Sequence, residues 1–227
     1  MPRRARSIVG GLVYHVLNRS NGRLPLFRKE ADFDAFLRVL DEAHRRLPLR
    51  ILAYCVMPNH WHFLVWPDEH QAQAVSEFFR WLTVAHTQRW HAHYGTAGSG
   101  HLYQGRFKSF PIQADEHFYT VARYVERNAL RAGLVERAQD WRFGSLWQHG
   151  GNSPGQRLPL SPWPVARPDG WIDWVNAPQT EDEVAAVRQC IQRGRPYGND
   201  AWTAEKAKEL SLEWTMRPRG RPKKAEK

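Results

Sequence analysis

Cysteine is nearly absent: Cys55 and Cys190 are the only two in 227 residues, too few for a disulfide framework or a cysteine-rich zinc site. Long apolar runs are missing too. None approaches the ~20 residues that span a bilayer, and no apolar stretch with a small-residue cleavage site follows the basic start Met1-Pro-Arg-Arg-Ala-Arg6. A membrane partner is therefore not expected, and the chain reads as cytoplasmic. Acidic residues are the third shortage, 23 Asp+Glu against 33 Lys+Arg, leaving a formal charge of +10. Such an imbalance favours a polyanionic partner such as nucleic acid. Tryptophan, by contrast, is abundant at 11 residues, and aromatic rings can fill a core or stack on unpaired bases.

The first 149 residues alternate between two periodicities. Gly11–Leu17 is short, apolar and closed by the turn-rich Asn18-Arg-Ser-Asn-Gly22, as a strand is. Glu30–Arg46 repeats Phe33, Phe36, Leu37, Leu40 and His44 at spacings of three and four, which predicts an amphipathic helix ending before Pro48. Leu49–Met57 and His60–Trp66 read as a hairpin joined by Pro58-Asn59. Ala72–His91 predicts a second helix, Gly95–Gly105 a loop and Arg106–Gln113 a fourth strand. Asp115–Ala132 predicts a third helix, capped by Asp115 and closed by Gly133. The order strand–helix–strand–strand–helix–strand predicts an α+β fold of the ferredoxin-like split βαβ type, an antiparallel sheet with helices on one face.

The composition changes after residue 149. Residues 150–178 are rich in proline and glycine and read as a connector with little regular structure. Residues 179–227 read as a C-terminal extension of short helices and a basic tail, with DNA binding as its role. Thr180–Arg193 predicts a helix opened by a capping box from Thr180 and Glu183, and Thr203–Leu210 predicts another. The segment Ala201–Leu212 resembles the first helix and turn of a helix-turn-helix.

The segment with the most definite chemistry is Pro58-Asn-His-Trp-His-Phe-Leu-Val65. Alternate side chains of a strand share a face, so His60 and His62 project together as a preformed pair of nitrogen ligands. His91-Ala-His93 has the same spacing at a helix end, where the two side chains diverge. On the third predicted helix, Tyr124 and Asn128 are four apart and stacked on one side. Asn128 can offer an oxygen to an ion and Tyr124 a phenol beside it. Taken alone, each also reads as an ordinary residue at the edge of a core.

The His-x-His strand, Gly105-Arg-Phe-Lys-Ser109 and Tyr-Val-x-x-Asn-x-x-Arg-Ala-Gly-Leu-Val beginning at Tyr124 together resemble the single-tyrosine transposases of the IS200-like group. The similarity is greatest to their relatives associated with repetitive extragenic palindromes, and it runs from about Gly10 to Ser145. It implies a catalytic domain over residues 1–149, with His60 and His62 as metal ligands, Asn128 as the polar third ligand and Tyr124 as the nucleophile. Relatives commonly have proline after that asparagine, where this chain has Ala129. Tyr119, on the same helix, is a reserve nucleophile without an asparagine four residues on.

The resemblance further implies Mg²⁺ or Mn²⁺ as cofactor and single-stranded, hairpin-associated DNA as substrate, cut through a 5′-phosphotyrosine link. It also implies a bacterial, nucleoid-associated protein working as a monomer or homodimer. Arg106, Lys108, Arg123, Arg127 and Arg131 are candidate phosphate contacts. The tail from Arg217 on holds six Lys/Arg and one Glu. Its Pro218-Arg-Gly-Arg-Pro222 with Lys223-Lys224 looks like an AT-hook, whose Arg219, Arg221, Lys223 and Lys224 suit the minor groove of A·T-rich duplex. Three rivals stand beside this reading: a non-catalytic DNA- or RNA-binding module, a zinc hydrolase that needs no tyrosine, and a retired transposase that only binds hairpin DNA.

Overall fold

The computed structural model of the chain describes residues 8–149 and 158–217. Strands β1 (Val13–Arg19), β2 (Arg50–Met57), β3 (His60–Trp66) and β4 (Lys108–Ile112) alternate with helices α1 (Glu30–Arg46) and α2 (Ala74–Tyr94). The strands form one sheet in the order β2-β3-β1-β4, with every neighbouring pair antiparallel. This is the α+β, ferredoxin-like split βαβ arrangement expected from the sequence. A two-residue turn, Pro58-Asn59, joins β2 to β3 and sets Met57 opposite His60.

Strand alternation divides the side chains between two cores. Tyr14, Val16, Tyr54, Val56, Trp61, Phe63 and Val65 meet Phe36 and Leu40 of α1 and Phe78, Phe79 and Leu82 of α2. Val13, Leu64, Phe110 and Ile112 point the other way. In β2 the register shifts between Ile51 and Ala53. The extra residue lets Ile51 face α1 and α2 while Leu52 and Ala53 join the opposite core.

That opposite core corrects one expectation. Helices α1 and α2 do lie on one face, but α3 (Glu116–Glu126) covers the other, burying Phe118, Val121 and Val125. Both faces of the sheet are apolar, so neither can be left to water. The third helix is also not continuous to Ala132. Asp115 caps it, its carboxylate accepting from the His117 N–H, and the chain breaks step at Arg127 (φ −81°, ψ −2°). A four-residue helix, α4 (Asn128–Arg131), follows, and Gly133 at φ +68° turns the chain away.

The remainder is built onto this second core. It comprises α5 (Ser145–His149), α6 (Trp171–Asn176), α7 (Glu181–Arg193) and α8 (Asp200–Glu209). The described part of the connector is more structured than its prolines suggest. Leu160 pairs with Ile51, and α6 buries Trp171 and Val175 against the core of α3. The capping box of Thr180 and Glu183 opens α7 as expected, and Val187 and Cys190 join the same core. Helix α8 is followed by Ser211 at φ +54° and a short 3-10 turn, and no second helix follows it among the described residues. Arg219, Arg221, Lys223 and Lys224 lie outside the described residues. No described helix is long and apolar enough to cross a membrane.

Candidate active site

Register places the central pair. His62 of β3 lies opposite Leu17 of β1 and Cys55 of β2, and His60 opposite Arg19 and Met57. Both imidazoles therefore face the α3 side, with ring centroids 5.0 Å apart. Trp61 and Phe63, between and after them, anchor the strand in the α1/α2 core. The strand is thus held from behind while its histidines face forward.

Each histidine is held at one nitrogen. His60 Nδ1 lies 2.7 Å from Asn59 Oδ1, so it donates there and leaves Nε2 with a lone pair. His62 Nδ1 lies 2.8 Å from Nε2 of His15 on β1, which leaves its own Nε2 for a ligand. Burial keeps both rings neutral. The His60 pKa falls to about 4, helped by the charges of Arg19 and Arg131. That of His62 falls well below its ordinary value, from burial first and then from its histidine and arginine neighbours. Two neutral imidazoles, each with one nitrogen pinned and the other left over, are the donor set a divalent cation takes.

Tyr124 reaches this pair from α3. Its ring centroid is 5.9 Å from that of His62 and 6.4 Å from that of His15. Across the break at Arg127, Asn128 comes to the same side. Its Oδ1 accepts from Arg131 at 2.9 Å, while its Nδ2 is buried with no partner. The oxygen keeps one lone pair for an ion. The guanidinium of Arg131 sits 4.0 Å over the Tyr124 ring.

These residues line a cleft of about 570 Å³ that also takes in Arg19, Arg106, Lys108 and Arg188. The structure thus brings His60, Tyr124, Asn128, Arg106, Lys108 and Arg131 to one hollow, with His62 beneath it. Five basic side chains around a cleft make a field suited to phosphate.

Two of the predicted DNA contacts are placed elsewhere, and this is a correction. Arg123 is buried, and its guanidinium donates to the carbonyls of Trp174, Ala177 and Pro178 at the end of α6. Arg127 donates to the carbonyls of Val175 and Asn176. Both satisfy the open C-terminal carbonyls of a helix. A later segment covers Arg123 and Arg127, while Arg131, beyond the break in the helix, stays in the cleft. Tyr119 is no reserve nucleophile either: its hydroxyl donates to the Ala166 carbonyl at 2.6 Å, and its ring packs among Trp163, Trp171 and Trp174. The comparison pair His91 and His93 diverges on α2, one toward Thr96 and the other toward Lys29.

Three contributors were missed. Arg19 and Arg188 line the cleft from the end of β1 and from α7, where no local motif marks them. His15 was legible in principle, being the single ionisable group apart from Tyr14 within an apolar strand. A further grouping, Asp115, Glu116 and His117, brings ligand atoms within 4.8 Å of one another at the start of α3. There Asp115 Oδ1 already accepts from the backbone N–H and lies 2.8 Å from Nδ1 of His117.

Comparison with known proteins bears on the fold and the family. No curated protein matches the chain. Among solved structures, one similar to it is a REP-associated tyrosine transposase bound to a REP hairpin. It is 19% identical, with 71% of this chain and 96% of that one covered and a TM-score of 0.51. A Deinococcus radiodurans R1 protein described as a transposase is 20% identical, with 52% and 89% covered and a TM-score of 0.39. At such identities the likeness to the first shows a shared fold. The model of the IS200-like transposase family matches residues 8–128, more than half of the chain. The sequence blocks, the sheet order and the family match agree, and this chain belongs to the IS200-like transposases.

Proposed function

We propose that this protein cuts and rejoins single-stranded DNA beside hairpins, with Tyr124 as the nucleophile and a 5′-phosphotyrosine as the intermediate. The observation that carries the reading is the approach of the Tyr124 ring to within 5.9 Å of His62 in a cleft lined by basic side chains. Family membership supplies the general setting of transposition and DNA binding. The hairpin in the related structure supports hairpin DNA as the substrate class.

His60 and His62, through Nε2, and Asn128, through Oδ1, would hold Mg²⁺ or Mn²⁺. When bound, the ion would neutralise and polarise the scissile phosphate. The rest falls to the protein. Arg106, Lys108 and Arg188 draw the DNA backbone into the cleft. Tyr124 brings its phenol oxygen to phosphorus, and the bond to the 3′ oxygen breaks as the new one forms. The phenol must lose its proton in doing so, since an ordinary tyrosine pKa is ~10. The guanidinium of Arg131 packs on the ring face and holds the phenol in the cleft. The 3′-hydroxyl released can later attack the phosphotyrosine and reverse the step. Arg219, Arg221, Lys223 and Lys224 would add contacts to flanking DNA from the tail.

The deciding experiment incubates wild type and Tyr124→Phe with 5′- and 3′-labelled hairpin oligonucleotides, in Mg²⁺ or in EDTA, and resolves the products on denaturing protein gels. The expected result is a metal-dependent adduct carrying the DNA 3′ to the cut, absent from the variant. Cleavage that persists in Tyr124→Phe would refute the tyrosine mechanism in favour of hydrolysis. Binding without an adduct would return the chain to a non-catalytic hairpin-binding module.

A further inference from the structure

His15 is fully buried in the middle of β1, opposite Leu64 on one side and Phe110 on the other. Its surroundings are otherwise apolar and aromatic, with the Phe110 ring edge-on at 5.0 Å. Its Nδ1 has no partner at all. Leaving a buried polar group unsatisfied costs ~1–3 kcal/mol, and a phenylalanine here would avoid that cost. What the imidazole gains is one contact, Nε2 to His62 Nδ1 at 2.8 Å.

That contact is well formed. The two ring planes are 3° apart, yet their centroids are 4.9 Å apart. With nitrogens only 2.8 Å apart, the rings must lie edge to edge in a common plane rather than face to face. The hydrogen bond is therefore directed along a ring lone pair, its strongest geometry. Edge-to-edge nitrogens at this distance leave no room for an ion between them, so His15 is not itself a ligand to the site of His60 and His62.

The geometry points to His15 as the positioning residue that fixes His62 for metal binding, a reading that rests on the metal site under the proposed function. A histidine that ligates through Nε2 carries its proton on Nδ1 and needs an acceptor there. His15 Nε2 is that acceptor. Its own proton then sits on Nδ1, the buried atom with no partner. His60 has an acceptor of a different kind in Asn59, part of the half-buried β2–β3 turn. The two ligands are thus oriented by unlike means: a turn amide for one and a buried imidazole for the other.

The test is Mn²⁺ affinity of the full-length protein, read by titration calorimetry or electron paramagnetic resonance, with no DNA and no turnover. Variants are His15→Phe, His15→Gln and His62→Ala, each checked for unchanged thermal unfolding. Glutamine places its amide oxygen where Nε2 stands. Outer partners of metal-bound histidines typically contribute ~10–100-fold in affinity. The expected result is a loss of that size in His15→Phe and recovery to near wild type in His15→Gln. Wild-type affinity in His15→Phe, with affinity lost in His62→Ala, would overturn the role of His15 alone. Retained affinity in His62→Ala would overturn the metal reading itself, and the role of His15 with it. If His15→Phe does not fold, ring ¹⁵N shifts of Zn²⁺-loaded wild type decide. His62 protonated at Nδ1 supports the inference, and His62 without that proton overturns it.

Discussion

The two faces of the sheet are built on different principles although the same strands supply both. The α1/α2 face is almost wholly aromatic and aliphatic, with Trp61, Phe63, Phe36, Phe78 and Phe79 at no exposure. Three of its buried polar side chains, His86, Tyr103 and Trp61, are joined to one another, His86 Nδ1 to the Tyr103 hydroxyl and Trp61 Nε1 to the same oxygen. The α3 face buries His15, His62, Arg123, Glu126 and Asn128, and two of these carry an atom with no partner. A partnerless atom also occurs at Ser20, whose Oγ is buried at the end of β1, but on the α3 face two such atoms belong to residues beside the histidine pair, His15 and Asn128.

This contrast can be broken by substitution. On the α1/α2 face, Trp61→Ala is expected to lose ~3–5 kcal/mol of unfolding free energy in urea melts. Tyr124→Phe, which keeps the ring under Arg131, is expected to stay within ~1 kcal/mol of wild type. Similar losses at both positions would erase the distinction.

Acid sharpens it further. Burial depresses His86 to about 3, against 6.5 in an unfolded chain. Its contribution to stability is therefore complete above pH 6.5 and is lost as pH falls toward 3, because only the unfolded chain takes up the proton. His86→Gln is expected to remove up to ~1.4 kcal/mol per pH unit of slope within that window. Unfolding curves from pH 7 to 4 that slope equally in both proteins would sink this assignment.

The arginines give the smaller effects. Arg123→Ala leaves the α6 carbonyls uncapped and is expected to cost ~1–3 kcal/mol, seen as faster proteolysis near residues 171–178. Its hairpin affinity should not change. Lys108→Ala should do the reverse, leaving stability alone and lowering the slope of log affinity against log salt by ~1. If Arg123→Ala lowers that slope and Lys108→Ala does not, the placement of the two cations is wrong.

Much of this was legible in the sequence. Helix α1 and strand β3 run between the residues the periodicity predicted, since both carry regular patterns and sharp ends. His60, His62 and Tyr124 stand out because local spacing decides what shares a face. The parts that were not legible depend on distant segments. His15 meets His62 only through strand pairing 47 residues away. Arg123 and Arg127 look like exposed helix cations until α6 arrives about 50 positions later to cover them. The break at Arg127 has no proline or glycine to announce it. Helix α6 hides in a proline-rich stretch because its stability comes from burying Trp171 and Val175, not from its own propensity.

The clamp formed by Arg123 and Arg127 has a consequence for how molecules cooperate. It ties the helix bearing Tyr124 to α6 of the same chain, within reach of that chain's own histidines. On the proposed mechanism, a tyrosine held this way is expected to serve its own chain. Cleavage should then be first order in protein, with equal specific activity at nanomolar and micromolar concentrations. Mixing Tyr124→Phe with His62→Ala should restore nothing, because neither inactive copy can complete the other. Recovered activity in that mixture would mean that the helix can leave its clamp and serve a second chain.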